Sequence, residues 1–291
     1  MVMDTSKGLE KIVLATDGSN QAEAAVDAAI ALARRSGAEV RVVHVWNLCI
    51  RHRHCPWDVE LRGEARRVLE ATVERLTWAG VRADGAILRA DGDHVAAAVA
   101  ITARSFDADL LVVGSRGVSD LPSMLEHSVS HQLFASVDCP LLIVRGGTAA
   151  QKPQRVLLVV AVGDDIGRAA RAAIAVASTP DCLVLVVHAG QLIAGAQGTV
   201  LAEAEGETPA TIARTIKLIE QAGISARGVR TQPGRTADVI ARVANTWGVD
   251  MIVAGSGRMG DLASMVLDSV SHEQLKASMR PPVLTAAPAP S

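Results

Sequence analysis

DLPSMLEHSVSH, residues 120–131, returns 141 residues later as DLASMVLDSVSH, residues 261–272, with eight of twelve positions identical. Segments further upstream correspond in the same order. DADLLVVGS ending at Ser115 matches GVDMIVAGS ending at Ser256, and AAIALA from Ala28 matches AAIAVA from Ala172. A repeat of this length and order is duplication of a whole domain, and 291 residues divide into two domains of ordinary size. The joint falls in GGTAAQKP, residues 146–153, where a Gly pair, small polar residues and Pro suit a short exposed connection. The expected domains are therefore 1–150 and 151–291.

Within the first copy the apolar runs Ile12 to Ala15, Val40 to Val45, Leu110 to Val113 and Leu141 to Val144 are short, β-branched and unbroken. Unbroken rather than alternating runs indicate strands buried on both faces, as in a parallel sheet. Helical spacing lies between them, with Val26, Ala29, Ile30 and Ala33 on one stripe and Leu69, Thr72, Val73 and Leu76 on another. The second copy repeats the pattern with strands near Val156 to Ala161, Leu183 to Val187 and Met251 to Ala254. Its third helix carries Ile240, Val243, Ala244 and Trp247 on one stripe. Strands alternating with helices predict two tandem α/β domains, each an open doubly wound parallel sheet.

Composition narrows the function. Apolar residues make up 49% of the chain and charged residues 21%, a globular balance, and the formal charge of −2 with no basic stripe argues against nucleic acid as a partner. No run approaches the length of a membrane span, and the amino-terminal MVMDTSKGLEK lacks the apolar core of a secretory signal, so a cytoplasmic protein is expected. In such a reducing compartment Cys49, Cys55, Cys139 and Cys182 are expected as thiols, the last two packed and inert.

Ligands of doubly wound sheets bind beyond the carboxyl ends of the strands, where the winding reverses. The first strand ends in Ala15, Thr16, Asp17, Gly18 and Ser19, which brings a carboxylate and a glycine turn there. The fourth ends in Val113, Gly114, Ser115, Arg116 and Gly117, and Ser128, Val129 and Ser130 then open a helix whose N–H groups suit an anion. The same residues have plainer uses. Gly114 and Gly117 can simply turn the chain, and Asp17 can cap the following helix. Cys49, His52, His54 and Cys55 carry zinc-favoured donors at a spacing unlike common zinc motifs, and a solvated basic loop is the expected reading. His44 and His188, in equivalent apolar strands, are expected as packed core imidazoles.

IVLATDGS at 12–19, DLLVVGSRG at 109–117, HSVSH at 127–131 and CPLLIVR at 139–145 together resemble the universal stress protein family, in its tandem form. The resemblance implies a Rossmann-like, adenine-nucleotide alpha-hydrolase-like fold with strand order 3-2-1-4-5. It implies dimer contacts through the last strand, here between the two copies as an intramolecular pseudo-dimer, with a homodimer of whole chains open. In one branch of the family it also implies an ATP site, marked by Gly, two residues, Gly, nine residues, and Gly followed by Ser or Thr. Gly114, Gly117 and Ser128 match that pattern; His127 replaces the third Gly.

Carried over residue by residue, Asp17 would meet the ribose or adenine end, and the Val45 backbone would hold the base. Gly114 and Gly117 would admit the phosphates with Arg116 at the loop, and Ser128, Val129 and Ser130 would grip them, with magnesium as the accompanying ion. His127 either fills the phosphate seat, in which case His127→Gly tightens ATP binding, or meets the phosphates as a cation. The second copy replaces Asp17 by Ala161, Gly117 by Arg258 and His127 by Asp268, which opposes nucleotide binding there. The site has no activated nucleophile, paired carboxylates or general base, which makes it a binding site rather than a catalytic one. A nucleotide-free interaction module is the alternative, and a slow ATP-hydrolysing enzyme the third reading.

Overall fold

The computed structural model describes residues 9–47, 62–90, 94–115, 132–133, 136–145, 153–160, 166–177, 181–188, 192–195, 198–201, 207–229, 236–254 and 281–285. The chain divides into two compact units, Met1–Gln151 and Lys152–Ser291.

The first unit runs β1 (Lys11–Ala15), α1 (Asn20–Ser36), β2 (Glu39–Asn47), α2 (Arg62–Trp78), β3 (Ala83–Ala90), α3 (Val95–Ser105), β4 (Leu110–Ser115) and β5 (Leu141–Arg145). Its strands lie in the order β3-β2-β1-β4-β5 and every pairing is parallel. The order 3-2-1-4-5 and the parallel sense agree with the sequence reading. Ile12, Val13 and Leu14 of the central strand have no exposed surface, because helices cover both faces of the sheet. Right-handed crossovers force this: the chain winds outward to β3 and then returns past β1 to β4, so the returning connection takes the opposite face.

The second unit repeats the plan as β6 (Arg155–Val160), α4 (Ile166–Val176), β7 (Leu183–His188), the hairpin strands β8 (Leu192–Gly195) and β9 (Gly198–Leu201), α5 (Glu207–Gln221), β10 (Ser225–Gly228), α6 (Thr236–Trp247), β11 (Met251–Ala254) and β12 (Val283–Thr285). Its parallel order is β10-β7-β6-β11-β12, the same as the first unit's.

The edge strands β3 and β10 have no unbroken apolar run as long as those of the central strands and escaped the sequence reading. Among the described residues β3 pairs with β2 alone, and Asp84 and Arg89 are exposed on it, so its sequence is not held to be apolar throughout. Both edges carry a glycine where a helix lies close. A Cβ on Gly85 would stand 2.9 Å from Leu69 Cγ of α2, and one on Gly228 would stand 2.8 Å from Ile212 Cγ2 of α5.

A carboxylate fastens the start of the central strand in each unit. Asp109 Oδ2 accepts from the backbone N–H groups of Glu10 and Lys11 at 2.9 and 2.8 Å. Asp250 Oδ2 does the same for Gln154 and Arg155 at 2.8 and 2.9 Å. In return the Asp109 N–H donates to Lys11 O and the Asp250 N–H to Arg155 O, each at 2.9 Å. Hydrogen bonds to a charged acceptor are the stronger kind, so Asp109→Ala and Asp250→Ala should each lower unfolding free energy by about 1.5–3 kcal/mol. Urea unfolding of the two variants checks this, and midpoints at the wild-type value would mean that water replaces the carboxylates without loss.

Candidate functional site

Strand register assembles the carboxyl edge of the first sheet. Ala15 lies between Val43 of β2 and Val113 of β4, so the residues following it emerge between these two strands. The chain leaves β1 toward β2 and later returns to β4 on the other side, which makes the β1/β4 boundary the point where the winding reverses. Gly114, paired with Val144, and Val45, paired with Leu88, end on the same edge. The structure therefore brings together Ala15, Thr16, Asp17, Val45, Val113 and Gly114. Val113 is buried at 4% exposure, so its side chain belongs to the core. Arg116, Gly117, His127, Ser128, Val129 and Ser130 lie outside the described residues, as do Ala161, Arg258 and Asp268 of the second unit.

The turn after β1 is tied on several sides. Thr16 N–H donates to Val43 O at 3.0 Å, continuing the ladder one residue past the strand. Its Oγ1 accepts from Gly18 N–H at 3.2 Å, and its carbonyl accepts from His44 Nδ1 at 2.9 Å. Asp17 Oδ1 accepts from Ser19 N–H at 3.0 Å, so the carboxylate braces the turn; the N-cap position of α1 belongs to Ser19. Gly18 has φ +75°, where a side chain is strained, and a Cβ there would stand 2.8 Å from both Val68 methyls of α2. Thr16 is buried while Asp17 is exposed, so the fold holds the base of the turn and presents the carboxylate to solvent.

His44 is a packed imidazole, 1% exposed, as its apolar strand suggested. What sequence reasoning missed is its bond to the Thr16 carbonyl. The counterpart in the second unit, His188, pairs in register with Val160, and its Nδ1 lies 3.5 Å from Thr208 Oγ1 of α5.

Cys139 and Cys182 are free thiols buried in their respective units. Burial disfavours the thiolate and pushes Cys139 up to about 12 and Cys182 up to about 11. The thiolate is the reactive species, so neither should label with a thiol reagent at neutral pH until the protein unfolds. Peptide mass mapping after native and denatured labelling checks this, and native labelling at either position would contradict it. Cys49, His52, His54 and Cys55 lie outside the described residues. Among the described residues no group of three or more His, Cys, Asp or Glu side chains is placed to hold a metal ion, and no helix is long and apolar enough to cross a membrane.

Comparison with known proteins agrees with the repeat. The profile of the Universal stress protein family matches residues 8–145 and again residues 153–284. The chain belongs to this family. Among its relatives, the Bacillus subtilis universal stress protein YxiE is 31% identical over 148 residues, 46% of this chain and 98% of its own length. A Thermus aquaticus universal stress protein, named for its position 3′ of a QAH/OAS sulfhydrylase region, is 33% identical over 135 residues, 46% of this chain and 97% of its own. Each relative thus spans about one domain of the tandem. The crystal structure of a universal stress protein from Archaeoglobus fulgidus shares the fold across both domains, with TM-score 0.71 and 19% identity over 98% of this chain and 99% of that one.

Proposed function

We propose that the protein is a stress-response binding protein that holds ATP, or a related adenine nucleotide with magnesium, in its amino-terminal unit and signals through that occupancy. One observation carries the reading: at the winding reversal of the first sheet, where Ala15 pairs with Val113 of β4, a braced Thr16-Asp17-Gly18 turn presents an exposed carboxylate. Gly114 brings no side chain to that edge, which fits a ligand approaching the backbone, whereas Gly18 is required by its positive φ and by Val68 of α2. Arg116, Gly117, His127, Ser128, Val129 and Ser130, which lie outside the described residues, are proposed to complete the phosphate seat, where His127 either blocks the phosphates or meets them as a cation. The second unit has Val160 and Ala161 where the first has Thr16 and Asp17, and serves structure or regulation instead.

The site binds rather than catalyses: Asp17 is a hydrogen-bonding anchor, and no second carboxylate or nucleophile is assigned beside it. Denaturing protein purified from cells should release adenine nucleotide, and ATP with magnesium should raise its thermal midpoint. A chain that releases none and shows no shift acts through its surfaces as an interaction module.

The tandem arrangement also fits an intramolecular pseudo-dimer through the last strands. Within its own unit, β5 pairs only with β4 and β12 only with β11 among the described residues, and bare apolar edges invite a partner. Slow amide hydrogen exchange throughout β5 and β12 is expected for paired edges. Fast exchange at alternate residues would leave them open. Concentration-dependent sedimentation then shows whether whole chains pair further.

A further inference from the structure

We infer that His44 is a positioning residue of the Asp17 turn, setting the direction in which that turn offers its polar groups to a ligand; the ligand side of the argument rests on the nucleotide reading above. The Thr16 carbonyl can only accept, so the 2.9 Å contact requires the proton on His44 Nδ1. This bond fixes a peptide plane. In a trans peptide the carbonyl and the following N–H point in opposite directions. Holding the Thr16 carbonyl toward β2 therefore directs the Asp17 N–H to the opposite side, toward β4 near its penultimate residue, Gly114. The Thr16 N–H donates to Val43 O and its Oγ1 accepts from Gly18 N–H, so the imidazole adds a third tie, at the carbonyl, to a residue held at two other points. Every further element of the turn builds on that plane: the Asp17 carboxylate braces Ser19 N–H, and Gly18 turns back under Val68.

The duplication supplies an internal contrast. Both units keep a buried histidine at this place in the second strand, 1% exposed in the first unit and 7% in the second. His188 Nδ1 lies near the hydroxyl of Thr208 on α5, and the residue across from it, Val160, has no hydroxyl to brace a turn. Among the described residues the histidine-to-carbonyl bond is seen in the unit that has Thr16 and Asp17.

The test compares His44→Phe, which keeps a buried ring and loses the donor, with His44→Asn, whose amide N–H stands at the same point along the side chain as Nδ1. His188→Phe is the control for ring substitution in the other unit. In His44→Phe, amide hydrogen exchange at Gly18 and Ser19 should speed up, and the calorimetric ATP affinity should fall, each by about tenfold, the scale of one buried hydrogen bond. His44→Asn should restore most of both, and His188→Phe should change neither. Unaltered exchange at Gly18 and Ser19 in His44→Phe would overturn the inference, as would an Asn variant no better than Phe. An equal loss of ATP affinity in His188→Phe would also overturn it. Should the wild-type chain take up no ATP, the nucleotide reading falls, and the exchange rates of Gly18 and Ser19 alone decide whether His44 sets the turn. Should His44→Phe fail to fold, the Asn variant carries the comparison: wild-type exchange at the two amides is the expected result, and fast exchange in a folded chain the contrary one.

Discussion

Asp17→Ala is expected to weaken ATP binding between about tenfold and a hundredfold, the loss of 1.5–3 kcal/mol typical for a hydrogen bond to a charged group. The carboxylate is exposed at the mouth of the winding reversal, and one of its oxygens braces Ser19 N–H. Ala removes the brace and, with it, the ligand contact proposed for this carboxylate. Asp17→Asn separates them, because its amide oxygen can still accept from Ser19 N–H while the charge is gone. The expected order of affinity is wild type, then Asn, then Ala, with unfolding midpoints close together because the side chain lies outside the core. Calorimetric titration measures the order. An Ala variant within twofold of wild type would remove Asp17 from the site.

Gly18→Ala is expected to cost more stability than any other single methyl added to this turn. At φ +75° an L residue is strained by roughly 1–2 kcal/mol, and a Cβ at 2.8 Å from both Val68 methyls adds an overpacking cost of about 1–3 kcal/mol. The two contributions can be separated. Val68→Ala in the same chain removes the clash but leaves the backbone strain, so the double variant should recover only part of the loss. Urea unfolding of the two single variants and the double variant tests this. Full recovery would place the whole cost in the contact, and no loss in Gly18→Ala would mean that the turn rearranges freely.

The repeated segments made the duplication legible, and the unbroken apolar runs made legible the strands buried on both faces. Legibility failed where burial is one-sided. β3 reads ADGAILRA and β10 reads SARG, because an edge strand with one paired flank is under little pressure to be apolar, and its glycine answers a helix rather than the sheet. The hairpin of β8 and β9 was likewise unanticipated, since Leu192–Gly195 and Gly198–Leu201 are too short to show a period. At the candidate site, the placement of Thr16, Asp17 and Gly114 at the carboxyl ends of β1 and β4 was legible because glycine, hydroxyl and carboxylate cluster where the apolar runs stop. The bond from His44 to Thr16 was not, since a histidine in an apolar strand shows burial but not what its ring nitrogen reaches. Asp109 and Asp250 carried a usable signal that went unused: an acidic residue stands immediately before the fourth strand in both copies, where an unrelated surface carboxylate need not recur.

The central claim is that duplication left two sheets of one topology but a single nucleotide site. Calorimetric titration of the whole chain with ATP and magnesium tests it most directly. The account predicts one site per chain, lost in Asp17→Ala; two comparable sites per chain, or one that survives Asp17→Ala unchanged, would contradict it.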